Sequence, residues 1–136
     1  MPFVVDASVT LSWCFEDEAA GYADQALEAL VDDVAVAAGV WPYEVANGLV
    51  AAERRGRIVQ AQTTRFLTLL AELPIEVDGP DMGAGWASLI PIARDHGLSA
   101  YDAAYLEVAA RRGLPLVTLD ERLRAAALRA GVAVRE

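Results

Sequence analysis

Short apolar runs alternate with stretches of helical periodicity along this chain, and that alternation restricts the fold more than any other feature. The strand-like runs cover residues 3–5, 34–37, 75–77, 116–119 and 132–134. Between them, helical patterns run over 19–31, 41–55, 59–72, 82–95, 100–111 and 121–130, and a short helix is expected directly after Asp6. Gly56, Gly97, Gly113 and Gly131 stand where glycines end helices. Strands alternating with helices form a parallel sheet with right-handed crossovers. The expected fold is α/β: a three-layer α/β/α sandwich with a central parallel sheet of about five strands. The chain has 136 residues and shows no linker, repeat or low-complexity segment, so one domain over 1–136 is expected.

Composition excludes several classes. At 55% hydrophobic residues the chain can bury a substantial core and is not a disordered sequence. No apolar run approaches the roughly 18 residues that span a bilayer. The first residues reach Asp6 without a basic n-region, against a secretory signal. The lone Cys14 has no internal partner and reads as a small buried hydrophobe. Together these features favour the cytoplasm. The formal net charge is −9, which argues against broad, non-specific coating of nucleic acid. A contact at one phosphate, bridged by a metal ion, remains compatible with it.

Four acidic residues carry the chemistry: Asp6, Glu44, Asp102 and Asp120. Asp6 closes the run Phe3-Val4-Val5, and Asp120 follows Leu116-Val117-Thr118-Leu119. Glu44 and Asp102 lie near the starts of helical patterns. In an open parallel sheet the strand C-termini and the loops after them form the ligand crevice. Carboxylates gathered there suit a hard divalent cation such as Mg²⁺, which takes oxygen ligands and keeps several waters. Each residue also has a purely structural reading. Asp6 and Asp120 can each cap the helix that follows, Glu44 suits a first helical turn, and Ser99 with Asp102 has capping-box spacing, as has Thr118 with Glu121.

The other polar residues work by exclusion or support. His96 is the only histidine, beside Gly97 at an expected helix end, so a two-histidine acid–base ribonuclease is not available. There is no Gly-x-Ser-x-Gly elbow, no Cys/His zinc cluster and no glycine-rich phosphate loop. Ser8 and Thr118 are candidates to orient a metal ligand or water, with local backbone bonding as the plain alternative. Asn47 is one helical turn from Glu44 and shares its face. Trp13, Trp41 and Trp86 sit among apolar residues and read as core or interface packing. Arg54, Arg55, Arg57 and Arg65 form the densest basic stretch, either a solvated helix end or an RNA-contact edge.

Four ordered segments resemble the PIN-domain family, and specifically the VapC-type toxin ribonucleases of type II toxin–antitoxin pairs. They are Val4-Val5-Asp6-Ala7-Ser8, Tyr43-Glu44-Val45-Ala46-Asn47, the stretch from Leu98 to Leu106 containing Tyr101-Asp102-Ala103, and Val117-Thr118-Leu119-Asp120. No single segment is specific; the ordered set is. The resemblance implies a PIN-like fold and Mg²⁺ or Mn²⁺ held by Asp6, Glu44, Asp102 and Asp120. It also implies endoribonuclease activity, a homodimer and neutralisation by a cognate antitoxin protein. Ser12 departs from the pattern, since many relatives carry a basic residue there.

The expected reaction is metal-assisted hydrolysis of RNA, with water as nucleophile and 5′-phosphate and 3′-hydroxyl products. A second class is a non-catalytic PIN-like module that holds a partner protein. A third, a phosphoacceptor receiver or phosphatase, needs a lysine, and the chain has none. The phosphatase pattern also wants an Asp where Ser8 stands.

Overall fold

The computed structural model describes residues 1–15, 21–79 and 82–135, with side chains 82–84 also left out. The first two positions of the helix expected over 19–31 lie outside the described residues. In chain order the elements are β1 (Phe3–Val5), α1 (Ala7–Ser12), α2 (Gly21–Ala29), β2 (Ala35–Ala38), α3 (Trp41–Arg54) and α4 (Gln60–Glu72). They continue with β3 (Ile75–Asp78), α5 (Met82–His96), α6 (Ala100–Arg112), β4 (Leu116–Val117) and α7 (Glu121–Arg129). Every expected helix is present within a few residues of its expected bounds. Gly56, Gly97, Gly113 and Gly131 all have positive φ, a conformation that suits glycine at the end of a helix.

The strands lie side by side in the order β3-β2-β1-β4, all parallel. Val4 is opposite both Val36 and Leu116. Alternation along the strands sends side chains to two faces. Val4, Val36, Ala38 and Leu116 pack against α6 and α7, through Tyr105, Leu106, Leu123 and Ala126. Phe3, Val5, Ala35, Ala37 and Val117 pack against Val9, Ala23, Ala26 and Leu30 of α1 and α2. Burial on both faces explains why these strands read as unbroken apolar runs. A third cluster lies away from the sheet, where Val45, Leu49 and Ala52 of α3 meet Phe66 of α4, Phe15 and Ile58. The α3–α4 hairpin thus carries a small core of its own.

Two expectations change. The fifth run, 132–134, forms no strand: Val134 makes one parallel bridge to Leu116, supported by Leu116 N–H to Ala133 O and Arg135 N–H to Leu116 O. Among the described residues only this one pair aligns. Trp86 is not in the core. It is 61% exposed on α5, whereas Trp13 and Trp41 pack inward. Their indole N–H groups donate to Ala23 O at 2.8 Å and to Thr10 Oγ1 at 2.9 Å. Cys14 is half-buried against the α3–α4 cluster.

Candidate active site

Asp6 and Thr118 leave neighbouring parallel strands in the same direction, because Val5 is in register with Val117. This places the end of β1 against the end of β4. Two hydroxyls join them. Thr118 Oγ1 donates to Asp6 Oδ2 and accepts from Asp120 N–H at 3.0 Å. Ser8 Oγ donates to Asp6 Oδ1 at 2.6 Å and accepts from Leu119 N–H at 3.0 Å. Val9 N–H completes the set by donating to Asp6 Oδ1 at 3.1 Å. Asp6 is therefore the cap of α1 and also the hub of the β1–β4 edge. It is only 4% exposed. Burial raises its carboxyl to about 6, against the pull of Ser8, Thr118 and Val9, and the Asp120 charge pushes the same way as burial.

The other carboxylates arrive on helix starts. Asp120 caps α7, accepting from Arg122 N–H at 2.9 Å and Leu123 N–H at 3.2 Å. Of the two capping possibilities at this turn, Asp120 itself is the one realised. Ser99 caps α6 by accepting from Asp102 N–H at 3.1 Å, and this sets Asp102 in the first turn. Glu44 is in the first turn of α3, which opens with Trp41 and Pro42. Tyr105, one turn after Asp102, donates its hydroxyl to Glu44 Oε1 at 2.6 Å. Tyr105 is 1% exposed, so α6 holds Glu44 through a buried phenol. Burial raises the Glu44 carboxyl, opposed by Tyr105 and reinforced by the Asp102 charge. Burial also raises Asp102, with the Asp120 charge adding to it and Ser99 and Arg122 opposing.

All four carboxylates, with Ser8 and Asn47, border one cleft of about 310 Å³. The six candidates from the sequence that line it are thus brought together, and Thr118 sits just behind them on Asp6. Asn47 makes no side-chain hydrogen bond to a described residue. Ser12 is buried rather than on the cleft. His96 is in the last turn of α5 and is not part of this cleft. Sequence reasoning did not single out Tyr105, although its spacing from Asp102 places both on one helix face.

An oxygen-only donor set with carboxyls raised by burial and mutual repulsion suits a hard divalent ion. Among the described residues, no three acidic, histidine or cysteine side chains are close enough to chelate an ion as they stand. The four carboxylates offer the oxygen ligands that Mg²⁺ takes, and an ion there would need water to complete its shell.

The match to a family model decides the relationship: residues 3–128 match the PIN domain. The chain belongs to the PIN domain family. Ribonuclease VapC3 of Pyrobaculum aerophilum is 30% identical over 127 residues, covering 90% of this chain and 92% of that protein. Exonuclease VapC9 of the same organism is 36% identical over 82 residues, covering 60% and 58%. Among solved structures, PAE2754 from Pyrobaculum aerophilum superposes with a TM-score of 0.70 at 26% identity, covering 93% of this chain and 84% of that one. A toxin–antitoxin complex from Klebsiella pneumoniae shares the fold, with a TM-score of 0.58 at 17% identity over 87% and 86% of the two chains.

Proposed function

We propose that this PIN domain protein is a metal-dependent endoribonuclease, the VapC-type toxin of a type II toxin–antitoxin pair. The observation that carries the reading is the convergence of Asp6, Glu44, Asp102 and Asp120 on one cleft at the C-terminal edge of the sheet. The relationship to Ribonuclease VapC3 supports it. Asp6, Glu44, Asp102 and Asp120 would hold Mg²⁺ or Mn²⁺, partly through water. The bound ion would supply Lewis-acid assistance and a nucleophilic water at neutral pH.

The chain's own residues do the rest. Ser8 and Thr118 hold Asp6 in one orientation, and Tyr105 holds Glu44. Raised carboxyls accept a proton from water more readily than ordinary ones. Asn47 lines the cleft, and its amide would contact a substrate phosphate. No histidine lines the cleft, so the chain offers no imidazole pair for attack by the ribose 2′-hydroxyl. Hydrolysis should leave 5′-phosphate and 3′-hydroxyl ends. A cognate antitoxin and a homodimeric state belong to the same VapBC-type reading. Among the described residues no helix is long and apolar enough to cross a membrane.

The test is cleavage of linear and covalently circular RNA by wild type and Asp6→Asn, each with Mg²⁺, Mn²⁺ or EDTA. Circular RNA separates endonuclease from exonuclease, a distinction raised by the name of Exonuclease VapC9. Metal-dependent opening of the circle by wild type alone, with 3′-hydroxyl ends, is the expected result. Cleavage unaffected by Asp6→Asn, or ends bearing 2′,3′-cyclic phosphate, would overturn the mechanism.

A further inference from the structure

We infer that the tip of the α3–α4 hairpin is a backbone-gripping site for the RNA strand that enters the carboxylate cleft; this rests on the nuclease reading above. The charge distribution is the first observation. Residues 54–65 hold four of the chain's 11 arginines and no acidic residue, while the rest of the chain holds all 20 carboxylate side chains and seven arginines. Arg54, Arg55, Arg57 and Arg65 are all exposed.

Their bonding is the second observation. Arg54, Arg55 and Arg65 make no ion pair or side-chain hydrogen bond with another described residue. Elsewhere, Arg111 and Arg112 are tied to Asp78, Glu76 and Glu107, and Arg135 lies 3.8 Å from Asp33; Arg94 and Arg129 also lack such a bond to a described residue, but neither belongs to an arginine cluster. Glu53, just before the stretch, accepts from Thr63 Oγ1 at 2.6 Å. Arg57 lies 4.3 Å over the Phe15 ring, which pins the tip to the end of α1.

Position on the helix is the third. Glu44, Gly48, Ala51 and Arg55 follow one side of α3, at spacings of four, three and four residues. Asn47 and Arg54 are seven apart on an adjoining stripe. The cleft reaches Asn47 and Gly48 of α3; Leu11 of α1 packs over Gly48, so the adjoining Asn47–Arg54 stripe is the exposed route to the tip. At 1.5 Å per residue the tip is about 15 Å from Glu44. An extended single strand covers that distance in a few nucleotides. A protein of net charge −9 repels a polyanion over most of its surface, so an acid-free arginine cluster in line with the cleft steers the strand. Guanidinium groups also suit bidentate phosphate contacts.

The experiment compares the full-length chain with Arg54→Gln/Arg55→Gln/Arg65→Gln, a change that keeps helix propensity. Affinity for a single-stranded RNA of about twenty nucleotides is followed against salt in Ca²⁺, and cleavage of that RNA and of a trinucleotide is followed in Mg²⁺. Removing three phosphate contacts should lower the slope of log affinity against log salt by about two. Between about 50 and 200 mM salt, wild type should then lose roughly twentyfold more affinity than the variant. Trinucleotide cleavage, which cannot reach the tip, should be unchanged. Equal salt slopes for the two proteins would overturn the inference and leave the nuclease standing. Wild type that binds RNA with the steeper slope but cuts nothing would leave the grip standing and sink the nuclease. A variant that keeps its RNA affinity and salt slope but no longer binds an acidic polypeptide (poly-Glu is the probe) would overturn the inference in favour of a protein-binding tip.

Discussion

Thr118 donates its hydroxyl proton to Asp6 across 112 positions of sequence and accepts from Asp120 N–H with the same oxygen. One side chain thus ties two carboxylate-bearing segments of the sheet edge to each other. Ser8 makes the converse link, from the Asp6 side to Leu119 N–H.

Thr118→Val keeps the shape and removes the hydroxyl. It leaves Asp6 Oδ2 and Asp120 N–H without this partner. A buried charge that loses a hydrogen bond costs about 1.5–3 kcal/mol. Denaturant unfolding should show a loss of that size, and the pH–rate profile should move to higher pH as Asp6 becomes harder to ionise. An unchanged profile would show that the Thr118 bond does not tune Asp6.

Asp6 has a definite signature in stability against pH. Its carboxyl is raised from 3.8 to about 6 in the folded protein. The native state therefore holds more protons than the unfolded state between about pH 4 and 6, and stability falls as pH rises through that window. The charged carboxylate then costs the fold roughly 2–3 kcal/mol at neutral pH without metal. Asp6→Asn should flatten this slope, raise the neutral-pH melting temperature and abolish cleavage. A variant less stable than wild type at pH 7 would show that the hydroxyl contacts to the carboxylate outweigh its burial.

Tyr105→Phe deletes the phenol that holds Glu44. The ring stays in the core, so the stability cost should be near 1 kcal/mol. Activity should fall more than stability suggests, about tenfold, because Glu44 loses its fixed orientation. Titrating Mn²⁺ should separate the causes: rescue at high metal identifies weakened ion binding, and no rescue identifies a misplaced catalytic group.

Divalent metal should stabilise the protein in a pH-dependent way. Ions that bind only the folded state raise its stability, by about 2.7 kcal/mol at a hundred times Kd. Burial and mutual repulsion raise Asp6, Glu44 and Asp102, so protons compete with metal more strongly here than at ordinary carboxylates. Mn²⁺ should raise the melting temperature well at pH 7.5 and little at pH 5.5. Asp102→Asn should shrink the effect at pH 7.5. Equal shifts in wild type and Asp102→Asn would place the ion elsewhere.

Most of the fold was legible in the chain because local rules and tertiary packing agree. Strands buried on both faces must be apolar throughout, so 3–5 and 34–37 could be read directly, whereas β3 is an edge strand that keeps Glu76 and Val77 exposed. Helix ends were marked by Gly56, Gly97, Gly113 and Gly131, whose positive φ few other residues adopt. The run at 132–134 promised a strand because it is apolar and β-branched, while only the tertiary structure decides how many residues align with the neighbour, here one pair beside β4. Of the two readings of Trp86, core or interface packing, the structure removes the first, because hydrophobicity does not say which side of a helix the chain itself covers.

The sequence by itself determined the helices, four of the five expected strands, their order and the four candidate carboxylates, since helical period, strand alternation and capping are written within a few residues of each position. Only the tertiary structure decided that two of the helix caps also line the carboxylate cleft. Asp6 and Asp120 cap α1 and α7, and both also face the cleft. Capping and a place in a shared cleft were rival readings in the sequence, yet the structure realises both, because parallel strands deliver their following helix starts to one edge. The bonds from Tyr105 to Glu44 and from Thr118 to Asp6 were equally out of reach. They join residues 61 and 112 positions apart, and no local pattern records which distant side chains the sheet will bring within hydrogen-bonding distance.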